Sequence, residues 1–238
     1  ISGEQILGLG ISLPGIVDPV QKMITYSHAL GVRDLPFSEI QSYFPWHCTF
    51  LNDANAGAFA EGIGSDLPSS FFYLSLSNTV GGAIFHDGNL LPGDAFRCGE
   101  AGHMTLIPGG RPCYCGKTGC VDSYCSARVL SDLSGGRLKD FFLELHQNNR
   151  EYRPVWDTYL KHLSVVINNL HMILDYDIIL GGYVGSFLTP WLDTIRHLVA
   201  ERNTFEDDGS FVKLCTYQTG AAAYGAAMDV MEEFLRTV

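Results

Sequence analysis

The sequence predicts an α/β fold, and three observations carry that expectation. Short apolar runs ending in glycine or polar turns recur along the chain, segments with a helical apolar stripe follow them, and no fixed-period repeat interrupts the alternation. Residues 6–12 form the first run, closed by Pro14-Gly15, and 23–26 and 47–51 form the next two. The first is apolar enough to predict an interior strand with neighbours on both sides. Asn52-Asp53 then caps a helix of small residues over 54–62, with Glu61 expected on its exposed side. Residues 71–76 and 82–85 predict paired strands around Asn78-Thr79-Val80-Gly81, and Asp87-Gly88 turns the chain into 89–91. From residue 121 the pattern is helical, over 121–133, 138–147 and 152–174. The last segment places Trp156, Tyr159, Leu160, Leu163, Val166, Ile167 and Leu170 on one face. A buried strand at 177–180, a helix at 191–201, a strand at 211–215 and a helix at 221–235 follow.

With 46% hydrophobic and 17% charged residues, the 238-residue chain is composed to bury a core rather than to stay disordered. Its 15 Lys and Arg against 26 Asp and Glu give a net charge of −11 with no basic run, so any DNA contact requires another segment. A membrane span needs about 18 apolar residues; the best stretch, 165–180, is interrupted by Asn168, Asn169, His171, Asp175 and Asp177. The start carries no signal-like segment, and the seven cysteines are odd in number and bunched largely between Cys98 and Cys125. That pattern predicts a reducing cytoplasm. The absence of Met before the first apolar run leads to the expectation that upstream sequence has been removed.

His103 is followed after nine residues by Cys113-Tyr114-Cys115-Gly-Lys-Thr-Gly-Cys120, one imidazole and three thiols in a glycine-rich loop. A Cys₃His set is a closed tetrahedral shell for Zn²⁺, with no open position for a catalytic water. Free or disulfide-bonded thiols are the alternative, but bridges within C-x-C are strained. Cys48, Cys98, Cys125 and Cys215 lack such company and read as small apolar residues. Closure of this loop on a metal would draw Glu100, His103 and Asp122 together and leave the second ring nitrogen of His103 facing a hydroxyl ligand. Asn52-Asp53, heading a helix after a buried strand, is placed to present an acid to the same ligand. The plainer alternatives are that Asp53 is only a helix cap and that Glu100 and Asp122 are solvated loop charges.

At these residues the chain resembles the ROK family of sugar kinases and sugar-responsive repressors. The segments that carry the resemblance are Leu13-Pro14-Gly15-Ile-Val-Asp18-Pro19, Leu51-Asn52-Asp53-Ala54-Asn55-Ala56, Gly99-Glu100-Ala-Gly102-His103, the cysteine loop, Leu180-Gly181-Gly182 and 220–227. It implies an actin-like, hexokinase-like ATPase fold of the ribonuclease H-like kind, in two lobes with the N-terminal part missing. The sugar-binding lobe would span roughly 52–175, and 1–51 with 176–238 would belong to the nucleotide-type lobe. It further implies that Asn52, Asp53, Glu100, His103 and Asp122 bind sugar hydroxyls, and that His103, Cys113, Cys115 and Cys120 hold a structural Zn²⁺. In a kinase Asp53 would be the general base, with ATP and Mg²⁺ held near Thr79, Gly81, Gly82, Gly181 and Gly182. A homodimer is implied as well.

The chain departs from the kinase pattern in its phosphate half. Ser77-Asn78-Thr79 stands where kinases carry Gly-Thr-Gly, adding side chains where backbone must approach a phosphate. Asp122 replaces the usual Glu, and His28 stands where Asn is common. Sugar acids beside an altered phosphate loop lead to the expectation of the sugar-sensing domain of a ROK transcriptional regulator of the xylose-repressor or N-acetylglucosamine-repressor kind. Its DNA contacts would come only through a missing N-terminal helix-turn-helix domain. An ATP-dependent hexose kinase is the alternative, and a zinc-stabilised interaction domain without a small ligand is a third.

Overall fold

The computed structural model describes residues 6–236. Strand β1 (Leu9–Leu13) runs parallel to β5 (Cys48–Asn52), with Leu9 opposite Cys48 and Leu13 opposite Asn52. Among the described residues β1 pairs with no second strand, so the neighbours expected on both edges are not met. Instead its face is closed by the C-terminal helix α9 (Ala221–Leu235), which approaches so tightly that a Cβ on Gly10 would lie 1.9 Å from the Ala226 carbonyl oxygen. Between β1 and β5 the chain forms an antiparallel sheet of β2 (Ile16–Asp18), β3 (Met23–Ser27) and β4 (Val32–Pro36), then helix α1 (Phe37–Gln41). The Phe37 ring stacks on Phe50 at 4.2 Å and joins this sheet to β5.

The larger sheet has the order β10 (Val212–Leu214), β9 (Asp177–Gly181), β6 (Phe71–Leu76), β7 (Val80–His86) and β8 (Asn89–Leu90). Its β9 and β10 are parallel to β6, whereas β7 and β8 continue as an antiparallel meander. The sheet therefore joins strands from residues 71–90 with strands from residues 177–214. All six residues of β6 are buried because both faces are covered. Phe72, Leu74 and Leu76 enter the main core with Ile178 and Leu180, while Phe71 and Tyr73 face the opposite way with Ile179. This is the period-two alternation of a strand buried on both sides.

The main core is filled by α6 (Tyr152–Leu174), whose sequence-predicted stripe is buried from Trp156 to Leu170. Trp156 stacks on Tyr159 at 5.4 Å, and the Tyr159 hydroxyl donates to the Cys125 carbonyl at 2.8 Å. Helices α5 (Leu138–His146) and α8 (Leu192–Ala200) flank it. The segment 121–133 is not the single helix that its periodicity predicts. It divides into α3 (Asp122–Cys125) and α4 (Ala127–Ser131), because Ser126 is extended and the Ala127 amide is drawn away to the Ser77 carbonyl at 2.7 Å. The four-residue α7 (Gly182–Gly185), like β4 and α1, has no clear periodic signal in the sequence.

Helix α2 (Asp53–Gly64) lies on the other face of the large sheet, and its small residues let it settle between that sheet and α9. A Cβ on Gly225 would lie 1.8 Å from the Ala56 carbonyl oxygen, a backbone contact that cannot move aside. The same packing corrects the placement of Glu61. It is fully buried, and its carboxylate accepts the Tyr217 amide at 2.9 Å, because the turn leading into α9 closes over the face expected to meet water. No described helix is long and apolar enough to cross a membrane. The Gly225 contact gives a test: Gly225→Ala should cost about 1–3 kcal/mol by overpacking. At roughly 2–4 °C per kcal/mol for a chain of this size, the melting temperature should fall measurably in a thermal denaturation scan, and an unchanged value would show that the two helices have room to separate.

Candidate functional site

A cleft of about 280 Å³ opens where the turn after β1, the end of β3, the start of α2 and the 79–81 loop meet the segment carrying Glu100 and His103. Another groove, of about 290 Å³, runs between α6 and the chain after Met104, but its lining has no titratable side chain. The cleft, in contrast, gathers Asn52, Asp53, Glu100 and His103, together with Thr79, Gly81 and Arg97. Four of the five residues expected to bind sugar therefore share one cavity.

Asn52 owes its position to the parallel β1–β5 pair, whose carboxyl ends deliver the chain into α2. Its Oδ1 accepts the Ala54 and Asn55 amides at 2.9 and 3.1 Å, capping the helix, and its Nδ2 donates to the Gly15 carbonyl at 2.9 Å. Both ends of the amide thus fasten the cleft wall. Asp53 Oδ1 accepts the Ala54 amide at 2.9 Å. Burial raises the Asp53 carboxyl above its ordinary range despite that bond, and burial followed by the Asp53 charge raises Glu100, with Arg97 opposing. The Asp53 charge thus disfavours ionisation of Glu100, and the two carboxyls line one cavity.

Asp122 stands behind the cleft rather than in its wall. Its carboxylate is buried and accepts the Val80 amide at 2.6 Å; burial raises its pKa, and the Val80 bond and the nearby His103 oppose the rise. It holds the 79–81 loop against α3. The missing methylene relative to Glu gave no hint of this backbone partner.

His103 brings the cleft into contact with the cysteine loop. The ligand atoms of His103, Cys113, Cys115 and Cys120 all lie within 4.8 Å of one another, with the Cys115 and Cys120 sulfurs 3.8 Å apart. Loop closure is enforced by backbone bonds: the Leu106 and Ile107 amides both donate to the Gly119 carbonyl, and the Cys113 amide donates to Lys117. The positive φ of Gly119 (81°) fits a turn in which a Cβ would lie 1.9 Å from the Ile107 carbonyl oxygen. His103 Nδ1 is buried without a hydrogen-bond partner, whereas Nε2 lies 3.3 Å from the Tyr114 hydroxyl beside the cleft. An orphaned ring nitrogen among three thiols fits a soft cation.

The expected nucleotide residues are dispersed. Thr79 and Gly81 line the cleft, but Gly82 packs under the Phe72 ring and Gly181 against Tyr73. Gly182 opens α7 with φ +75°, and a Cβ there would come within 2.7 Å of the Leu76 amide and Ser77 Oγ. Ser77 Oγ accepts the Tyr183 amide at 3.4 Å, and the Ser77 amide donates to the Thr79 carbonyl at 3.2 Å. Tyr26, Arg97 and Tyr114 also line the cleft, although sequence reasoning gave them no role. The available signals were the cation three residues before Glu100 and the aromatic between two cysteines.

A model of the ROK family matches residues 2–233. The chain belongs to the ROK family. Among curated ROK-type relatives, it is 27% identical to a glucokinase of Halalkalibacterium halodurans over 98% of this chain and 78% of that protein. It is 30% identical to the xylose repressor of Bacillus subtilis over 80% of this chain but only 46% of the repressor. The chain thus spans less than half of the xylose repressor it matches. Among solved structures, a Streptomyces griseus ROK glucokinase in complex with glucose and AMPPNP superposes with a TM-score of 0.76 at 21% identity, covering 94% of this chain and 81% of that one. A ROK transcriptional regulator, a homologue of the Escherichia coli MLC protein, also gives 0.76, at 22% identity over 94% of this chain and 62% of its own. The fold is therefore the actin-like, hexokinase-like one that the sequence resemblance implied, and it is shared by ROK kinases and ROK regulators alike.

The raised carboxyls give a pH test with a definite sign. An acid whose folded pKa lies above its unfolded value opposes folding once ionised, so stability falls as pH rises through that window and recovers below it. Glu100→Gln should therefore melt above the parent at neutral pH, with the gap closing as pH falls toward the ordinary carboxylate range of about 4. Differential scanning fluorimetry across that range checks it, and a pH-independent gap would contradict the burial argument.

Proposed function

We propose that this chain is the sugar-sensing domain of a ROK-family transcriptional regulator, binding a hexose or related sugar in the cleft beside a structural zinc site. Carboxyl oxygens of Asp53 and Glu100 as acceptors, and the Nε2–H of His103 as a donor, line one cavity in which several hydroxyls of a small polyol can be satisfied at once. Asn52 and Asp122 serve the sugar site by fastening its walls. Zn²⁺ held by His103 Nδ1 and the sulfurs of Cys113, Cys115 and Cys120 would fix the loop and the tautomer of His103, turning Nε2 with its Tyr114 hydroxyl partner to the cleft.

The observation that favours a regulator over a kinase is the 77–80 loop. Phosphate binding of this kind relies on free backbone amides and close backbone approach. Here the Val80 amide is held by Asp122, the Ser77 amide by Thr79, and the Tyr183 amide by the Ser77 hydroxyl. Sugar binding would shift the population between two lobe arrangements and, through a homodimer, reposition helix-turn-helix segments lying outside these residues, in the cytoplasm.

The kinase reading keeps one specific support. Asp53 is positioned in the cleft with its pKa raised, as a general base for a sugar hydroxyl would be. ATP and Mg²⁺ would then be held by Thr79, Gly81, Gly82, Gly181 and Gly182.

Two measurements on the full-length protein separate these readings. Calorimetry with a panel of hexoses, pentoses and N-acetylated hexoses should find a ligand, and the same panel with Mg-ATP should yield no sugar phosphate; turnover would replace the regulator with the kinase. Elemental analysis should find one zinc per chain, and Cys113→Ser should lose both the metal and the sugar affinity. A metal-free protein with unimpaired sugar binding would remove zinc from the proposal.

A further inference from the structure

An aromatic chain runs along the mouth of the cleft, and its members come from two distant parts of the sequence. Tyr26 and His28 lie at and beyond the end of β3, and Tyr114 projects from the middle of the cysteine loop. The Tyr26 hydroxyl is 2.8 Å from His28 Nδ1, and the Arg33 guanidinium lies 4.5 Å over the Tyr26 ring. His28 meets Tyr114 edge to face at 5.2 Å, and Tyr114 meets His103 in the same manner at 5.4 Å. The chain ends on the acid-lined cavity, since the Tyr114 hydroxyl is 3.3 Å from His103 Nε2. His28 is the position singled out by its departure from the Asn common in the family, and burial, then the charges of His103 and Arg33, lower its pKa.

We infer that Tyr26, His28 and Tyr114 form a wall that selects a closed-ring sugar over an open-chain polyol, with Tyr114 as the specificity-determining residue. The inference rests on the sugar reading of the cleft. Acids and a histidine recognise hydroxyls, which a pyranose and its alditol both carry, so the polar wall alone discriminates weakly between them. The ring adds a face of C–H bonds, and aromatic side chains lining the same cavity as the polar groups give that face a partner. A flexible alditol presents no fixed apolar face and loses more conformational freedom on binding. Tyr114 decides because it is the aromatic residue joined to both sides, touching His28 on one and His103 on the other.

The test compares matched pairs, glucose with sorbitol and xylose with xylitol, by calorimetry on the zinc-loaded full-length protein and three variants. Wild type should prefer the pyranose of the pair it binds. Tyr114→Phe, which keeps the ring, should retain the preference. Tyr114→Leu and His28→Ala should reduce the pyranose affinity about 2- to 12-fold, the range of one aromatic contact, and leave the alditol affinity nearly unchanged. Zinc content and melting temperature equal to wild type establish that each variant is folded. If Tyr114→Leu weakens ring and chain forms equally, the wall has no selective role and the inference fails while the sugar reading stands. If wild type binds neither member of either pair nor any sugar of the wider panel, the sugar reading falls and takes the inference with it.

Discussion

The return of residues 103–120 upon themselves is the constraint on which the rest of the site depends. One imidazole and three thiols meet there, with hydrogen bonds from Leu106 and Ile107 to Gly119 closing the loop behind them. Every polar residue of the cleft's second wall is referenced to that closure. Glu100 and His103 enter it, Tyr114 rides on it, and Asp122 leaves it to seize the Val80 amide. The first wall has a separate origin in β1 and β5, whose parallel ends set Asn52 and Asp53 at the head of α2. A ligand in the cleft would thus touch two structures that are built independently and joined through a few side chains.

Much of this was legible from local pattern. The long apolar stripe of α6 and the small-residue start of α2 are periodic enough to read directly, and the His and Cys spacing announces its convergence. What escaped was decided by partners distant in sequence. Glu61 looks like a surface acid until the Tyr217 turn covers it, and the Ser126 break depends on the carbonyl of Ser77, 49 residues away. Asp122 carries nothing in its neighbourhood to reveal that its partner is a backbone amide. Tyr26 and Tyr114 could have been found only by knowing that β3 and the cysteine loop meet at the cleft.

The two halves of the cavity differ in kind. On one side the carboxyls of Asp53 and Glu100 line the cavity, with the Asp53 charge raising the pKa of Glu100. On the other, around residues 77–80, the chain satisfies itself, since the Ser77 hydroxyl and the Asp122 carboxylate take the Tyr183 and Val80 amides. A polar group that finds its partner within the fold no longer has a strong reason to bind a ligand, because exchanging one hydrogen bond for another yields little. An asymmetry of this kind would let a fold shared by catalysts and regulators perform different chemistry in each.

The hydrogen bonds at the starts of α3 and α4 have a mechanical consequence. Asp122 accepts from Val80 and Ala127 donates to Ser77, so the two short helices are fastened to a four-residue span at the central sheet's turn, one bond each. Two fastenings remove the freedom to pivot that one would leave. Asp122 follows the last cysteine by two residues, so the cysteine loop and that turn share one short, doubly fastened connection.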